Sequence, residues 1–533
     1  MSEKRTFAPV ASAALAAFAV IAVATLGRDP GTGPPGFRLD DAWIHLVYGR
    51  GLLRNGYLAY NDGVAATGCT APLWAAALAA VHAIAGDSID RVVRGVWMLG
   101  GALHAATAFL AAGLAGSLLG PRARTAPSTS VAVLLAGGLV ALATPLAAAA
   151  VSGMEVPLTS ALLLAMTWAA WAGRPLATGL LIAAAGLTRP ECAASGLVAL
   201  VLLQRRTPAA AQSRTWLRAA GPPVVAALAL VLWDLFASGR PLPATFYAKS
   251  AASLGALPGR IGVFLLDLLP RVPPFAGGVG ALFLLGLVPG VSRPGSPARA
   301  GTWPLAIGGA FLLANLSILD PADPDAFYHQ RYVWPALPAL LVATGIGAAG
   351  LGERLRRAPL APAAILALLA IIGAARVTGP ESRHLHQDVR NINEVQRALG
   401  ERLARASGGT WRVAASDAGA VRYFSDCETL DVIGLNTPEM RDQDERFVRA
   451  HPVDALVLLP AWFASPDAER LEVVDEATTS PYTVTSDPRM ARQIVLRARP
   501  AETPIVRTRF AGFSRFVLDF RVPETAIDEG DGG

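Results

Sequence analysis

The chain has 533 residues, 53% of them hydrophobic and only 16% charged, with a mean hydropathy of +0.43. That composition excludes an ordinary soluble domain and places most of the chain in a bilayer. The net charge of +6 does not indicate a nucleic-acid partner, because the arginines fall in short loops between apolar stretches rather than on one face.

Residues 8–26 follow Lys4 and Arg5 and are long enough to cross, so an uncleaved first span is favoured over a secretory signal. The next stretch, DDAWIHLVYGRGLLRNGYLAYNDG, opens on Asp40 and Asp41. Ile44, Val47, Tyr48 and Leu52 give it one apolar helical face, which suits a helix lying in the interface. One aspartate serves to cap that helix; the second is not needed for capping and is a candidate for chemistry. Residues 71–86 are short for a crossing and carry His82. If they crossed, every later Arg-rich loop would lie outside, against the positive-inside bias, so they are read as a juxtamembrane helix.

Further spans are expected near 95–118, 131–150, 157–172, 175–188, 192–204, 220–237, 274–290, 303–319, 332–350 and 360–375, about eleven crossings in all with the first. The expected fold is thus an α-helical polytopic membrane bundle over residues 1–375. A water-exposed domain follows over residues 376–533, placed outside the cytoplasmic membrane by the odd number of crossings. The tail reads as alternating strands and helices (WRVAAS, AVRYF, TLDVIG, ALVLLP, RQIVLRA, FVLDFRV), a small α/β domain with an acidic, disordered end. Asp417, Asp426 and Asp431 are expected to be solvated loop acids near strand ends. Cys69, Cys192 and Cys427 are too few and scattered for a disulfide framework or thiolate metal site.

With this topology the outer face collects Asp40, Asp41, Glu155 and Glu191, together with Arg189, Lys249, His329 and Arg331. Cations at the outer face run against the charge bias, and as a group they suit a phosphate; singly, each is explained by headgroup contact. Glu155, in SGMEVP, is equally a first-turn acid ahead of Pro157, and Arg189 with Glu191 equally a local ion pair around Pro190. His104 falls mid-span and reads as a buried packing residue. No phosphate-binding glycine loop, HExxH, GxSxG or paired CxxC is present.

The segments DDAWIHLVYGRGLLRNGYLAYNDG, GCTAPLW, VSGMEVPL, GLTRPE, PATFYAKS and HQRYVWPALPALL resemble the GT-C class of integral-membrane glycosyltransferases. These use polyprenyl-phosphate-linked sugars, and the likeness is to the branch that includes the mycobacterial terminal arabinofuranosyltransferases. In the tail, ASDAGAVRYFSDCETLDVIGLNTPEM is similar to that family's extracytoplasmic domain. The resemblance implies a first outer loop with two juxtamembrane helices and a base at its start, on Asp40 or Asp41. Two departures stand out. Val47 and Tyr48 replace an Arg-Tyr pair, with the arginine at Arg50, and Thr67 with Gly68 replaces an acidic-Gly pair.

The expected activity is transfer of a hexosyl or pentosyl group from a polyprenyl-phosphate donor to an envelope glycan, lipid or protein at the extracytoplasmic face of the cytoplasmic membrane. Asp41 or Asp40 would act as general base in an inverting displacement, with Lys249, His329, Arg331 and Arg189 on the phosphate and Glu155 orienting the acceptor or assisting a metal. Carboxylates and one histidine at unrelated positions do not identify a cofactor; a divalent cation bridging Asp41, Glu155 or His329 stays open. The rival readings are a transporter or flippase of lipid-linked sugars and a noncatalytic envelope-assembly protein. Charges clustered at one face, with no internal repeat, favour the enzyme over the transporter.

Overall fold

The computed structural model describes residues 3–26, 33–123, 127–249, 254–272, 275, 282–287, 297–318, 330–355, 358–442, 444–464, 470–485, 487–499, 505–510 and 515–521. His329, most of the 274–290 span and the acidic end lie outside these residues, as do the side chains of Lys249 and its neighbours.

The chain is a multi-pass membrane protein. Its helical part begins with α1 (Glu3–Leu26), α2 (Asp40–Asn55), α3 (Pro72–Ala85), α4 (Ile89–Ala123), α5 (Pro127–Ala141), α6 (Thr144–Ala150) and α7 (Val156–Trp171). It continues through α8 (Pro175–Gly186), α9 (Cys192–Arg206), α10 (Gln212–Ser238), α11 (Ala244–Lys249) and α12 (Leu257–Val263) to α13 (Pro297–Ile318), α14 (Leu337–Arg354) and α15 (Ala361–Ile392). Among the described residues, five helical stretches are long and apolar enough to cross a bilayer, or six if α5 and α6, bent by 53° at their junction, form one span. The other expected crossings in the described part fall on shorter helices. At 1.5 Å per residue the 16 residues of α7 and 12 of α8 fall short of ~30 Å of hydrocarbon.

Residues 71–86 form α3, which packs on α2 rather than joining the bundle as a long span. Trp43 of α2 and Trp74 of α3 are fully buried, each large enough to stabilise the pair by about 2–3 kcal/mol. Gly56, in the left-handed region at φ 75°, ends α2 by donating its N–H to Leu52.

One helical stretch, Ala361–Ser407, runs from the bundle through residue 375 without a break, contains α15 and α16 (Ala398–Ser407), and enters the C-terminal domain. There β1 (Arg412–Ala415), β2 (Glu428–Asp431), β3 (Ala455–Leu458), β5 (Leu471–Thr478) and β6 (Arg492–Ala498) form a sheet of order β2-β1-β3-β6-β5. Its β2, β1 and β3 are parallel, and β6 and β5 antiparallel. A second sheet joins β4 (Phe463–Ala464), β7 (Ile505–Phe510) and β8 (Arg515–Asp519). AVRYF is helical, as α17 (Ala420–Ser425).

Candidate active site

Both aspartates sit in the first turn of α2, whose N-cap residue is Leu39, and their side chains diverge. Asp40 accepts the backbone N–H groups of Gly419 and Ala420, both at 2.7 Å, so it caps α17 of the C-terminal domain. Gly419 has no side chain to cap that helix itself, and a Cβ there would meet the Asp40 backbone oxygen and lie 2.7 Å from Oδ2. Trp43 seals the contact against Tyr423 and Phe424, at centroid distances of 5.0 and 4.6 Å. Burial, then the neighbouring Asp417, push Asp40 well above the usual carboxylate range, against the pull of its two backbone donors. Burial likewise pushes Asp417 up to about 6, although Gln396 donates to it at 2.7 Å.

Asp41 turns the other way, onto Arg331, with Nη1 to Oδ2 at 2.6 Å. Arg331 also donates to the Tyr332 hydroxyl at 3.0 Å. The Tyr332 ring lies between two guanidinium groups, with Arg331 at 4.9 Å and Arg189 at 4.4 Å from its centroid. Arg189 donates to Glu155 at 2.7 Å, and Glu155 also faces His45 at 3.3 Å, one turn along α2 from Asp41. A chain of polar contacts therefore runs Asp41, Arg331, Arg189, Glu155, His45 around one aromatic ring. Burial alone would raise the Glu155 carboxyl, but Arg189 and then His45 hold it well below the usual range. Burial opposes charge on Arg331 too, yet Asp41 raises its pKa above the ordinary arginine value.

The turn carrying Glu155 is held by backbone geometry. Gly153 lies at φ 80°, and a Cβ there would come within 2.7 Å of Phe37 and 2.8 Å of Ala42. Trp74 of α3 donates to the Gly153 carbonyl at 3.0 Å, and the Leu73 N–H reaches the Leu187 carbonyl before Arg189. Helix α3 thus holds both polar turns.

Arg331 also lines a cavity of about 610 Å³ between the residues just before α2, the α6 region, α15 and the C-terminal domain. Leu39, Ala148, Met154, Leu268, Trp334 and Val484 give it apolar walls, while its charged lining is Arg38, Arg271, Arg331 and Glu381, with Arg271 donating to Asp267 at 2.6 Å. Arg38, which sequence reasoning passed over, is buried and pairs with Glu381 and Asp388, each at 2.8 Å. Its place two residues before the Asp pair was the sequence signal available for it.

Of the residues singled out from sequence, the fold brings together Asp41, Arg331, Arg189, Glu155 and Glu191, the last 3.6 Å from Arg189. Asp40 is adjacent but committed to the domain contact. Asp431 differs from the solvated acid expected, being buried and accepting from Ile433, Gly434 and Asn436. Asp426 pairs with Arg50 and Arg422, and Tyr48 donates to Asn436 at 2.9 Å, so both residues of the departure in α2 contact the C-terminal domain. His104 is buried in α4, as expected of a packing residue. Among the described residues no three His, Cys, Asp or Glu side chains converge as metal ligands.

A family model described as a domain of unknown function, DUF8728, matches residues 383–504. No curated protein matches the chain. ArnT from Cupriavidus metallidurans in the apo state aligns over 91% of this chain and 97% of its own, at 14% identity and a TM-score of 0.52. The fold is similar to that of ArnT. The same protein bound to undecaprenyl phosphate aligns over 90% and 97%, at 15% identity and a TM-score of 0.53. An oligosaccharyltransferase from Archaeoglobus fulgidus aligns over 86% and 68%, at 12% identity and a TM-score of 0.48. The GT-C-like architecture expected from the sequence, a membrane bundle with a C-terminal sheet domain, is present.

Proposed function

We propose that the chain transfers a glycosyl group from a polyprenyl-phosphate-linked sugar to an envelope glycan, lipid or protein at the extracytoplasmic face of the cytoplasmic membrane. The observation that carries this reading is the Asp41–Arg331 pair, in which a carboxylate lies 2.6 Å from a guanidinium that itself lines a cationic, apolar-walled cavity. A lipid phosphate needs positive charge beside hydrocarbon-compatible walls, and glycosyl transfer needs a base next to it. The structural likeness to ArnT bound to undecaprenyl phosphate supports the same donor class.

In this mechanism Asp41 takes the proton of the acceptor hydroxyl as its oxygen attacks the anomeric carbon. The bond from that carbon to the phosphate oxygen breaks, and the lipid phosphate leaves with the electron pair. Arg331, and Arg271 at the cavity wall, offset the charge that develops on the phosphate. Lys249 and His329 keep their proposed phosphate role. Arg189 acts through Tyr332 and Glu155, which fix the angle of the site. Inversion follows from a single displacement, with Asp41 rather than Asp40 as base because both Asp40 oxygens are taken by backbone N–H groups.

The test is transfer of labelled sugar from polyprenyl-phosphate hexoses and pentoses in membranes. Asp41→Asn should lose at least about 100-fold in rate with normal expression. Unchanged transfer by that variant would sink the assignment.

A further inference from the structure

The end of the bundle opposite the candidate active site carries a second group of cations. Helix α9 begins just after Arg189 and Glu191 and ends on Arg205 and Arg206, while α7 begins beside Glu155 and ends on Trp171. Arg206 lies over the Trp171 indole, 4.2 Å from its centroid, and its Nε donates to the Trp171 carbonyl at 3.2 Å. Arg205 lies over Trp303 of α13 at 5.7 Å. Two adjacent guanidinium groups are thus each backed by an indole from a different helix. Trp171 is itself fixed, donating from Nε1 to the Ser117 carbonyl of α4 at 3.1 Å, and both indoles pack on the core shared by α7, α9 and α13.

Nothing acidic balances this charge. Helices α7, α8, α9, α10 and α13 contain no carboxylate except Asp234, which lies near the other end of α10. Arg174, Arg214 and Arg218 stand at the same end as Arg205 and Arg206, all of them exposed, and among the described residues none of these arginines pairs with an acid.

The surface beside the cations is apolar and continues along the helices. Leu197, Val201 and Arg205 are spaced four residues apart, so they share one face of α9, and both aliphatic side chains are exposed. On α10, Leu217 is exposed between Arg214 and Arg218. An apolar track that ends in a fixed guanidinium suits a molecule of two parts, with acyl chains along the track and a phosphate at its end. A soluble acidic peptide would match the charge and leave the track unused.

We infer that Arg205 and Arg206, held on their indoles, bind the headgroup phosphate of an anionic phospholipid in the leaflet on that side, with its acyl chains along Leu197 and Val201. The phosphate oxygens accept from both guanidinium groups, and a headgroup without a cation of its own leaves that attraction undiminished. The site is separate from the donor reading, since it lies at the other end of α7 and α9 from Glu155 and Arg189.

The experiment is native mass spectrometry of the full-length protein in a neutral detergent, titrated with phosphatidylglycerol or phosphatidylcholine. Native protein should hold phosphatidylglycerol the more tightly, by about fivefold for each of the two arginines. Arg205→Gln with Arg206→Gln, both at exposed positions, should abolish that preference. Arg205→Lys with Arg206→Lys keeps both charges but loses the planar groups stacked on the indoles, and should lose most of the preference as well. Arg354→Gln removes an exposed charge beside Glu353 at the end of α14 and should leave the preference unchanged. Glycerophosphoglycerol, the same headgroup without acyl chains, should not compete. A preference that survives in the lysine variant, or that falls as far in Arg354→Gln as in the glutamine pair, would reduce the effect to bulk charge at that face and overturn the inference. Competition by the soluble headgroup, or equal retention of both lipids by native protein, would overturn it too.

Discussion

Replacing Asp417 with Asn is expected to stabilise the protein at neutral pH and to flatten its stability profile between about pH 4 and pH 6. The carboxyl of Asp417 is pushed up to about 6 by burial in the folded protein, against roughly 4 in an unfolded chain. Between these values the folded state holds a proton that the unfolded state has lost. Its contribution is therefore fully present below about pH 4 and disappears as pH rises through about 6. A difference of about two units at 1.36 kcal/mol each makes the swing up to about 3 kcal/mol. Asparagine keeps an oxygen for the Gln396 donor and never ionises beside Asp40, so it escapes the penalty. Thermal unfolding in detergent, followed at several pH values from about 4 to 7.5 for native and variant protein, reads this directly. The variant's advantage should grow with pH and level off above about 6. Asp426, held low once burial is offset by Arg50 and Arg422, provides a control, since its contribution changes only below about pH 4 and the Asp426→Asn difference should stay level across this range. A native-to-variant difference for Asp417→Asn that stays constant across the range would refute the reasoning.

Three further outcomes follow from the contacts. Arg38→Met should destabilise the fold by about 3–5 kcal/mol by leaving Asp388 buried without its cation, and Arg38→Met with Asp388→Leu should recover much of that loss; additive losses in thermal unfolding would contradict it. Gly419→Ala forces a methyl group onto Asp40 and breaks its two backbone contacts, so limited proteolysis should separate the C-terminal domain from the bundle faster than in native protein. Glu155→Gln leaves Arg189 with Glu191 at 3.6 Å as its remaining carboxylate, and should lower the unfolding temperature together with transfer. Loss of transfer at an unchanged unfolding temperature would instead give Glu155 a direct part in the chemistry.

The outline of this architecture is written in local patterns. Apolar runs, the Arg-rich short loops and the Asp pair suffice to separate bundle from tail and to point at the segment that opens on α2. What the patterns do not carry is which aspartate does what. That choice is made by Gly419 and Ala420, far away in the chain, whose N–H groups draw Asp40 aside and leave Asp41 to Arg331. Glu155 illustrates the same limit. In sequence it is a first-turn acid, and α7 does begin beside it, yet its carboxylate makes no cap and goes to Arg189 and His45. His45 had a readable signal, four residues after Asp41 and hence on the same helical face.

Arg38 and Asp40 stand two positions apart, and each reaches across to a different part of the C-terminal region, Asp388 in one case and the start of α17 in the other. Inheritance of that region is therefore not modular. A chimera that exchanged residues 383–504 for a related segment would have to bring an acid at position 388 and a side-chain-free residue at 419, or the recipient's start of α2 would be left with a buried cation and a buried carboxylate facing strangers. Variation in the tail should accordingly track variation in five residues near the other end of the chain, FRLDD.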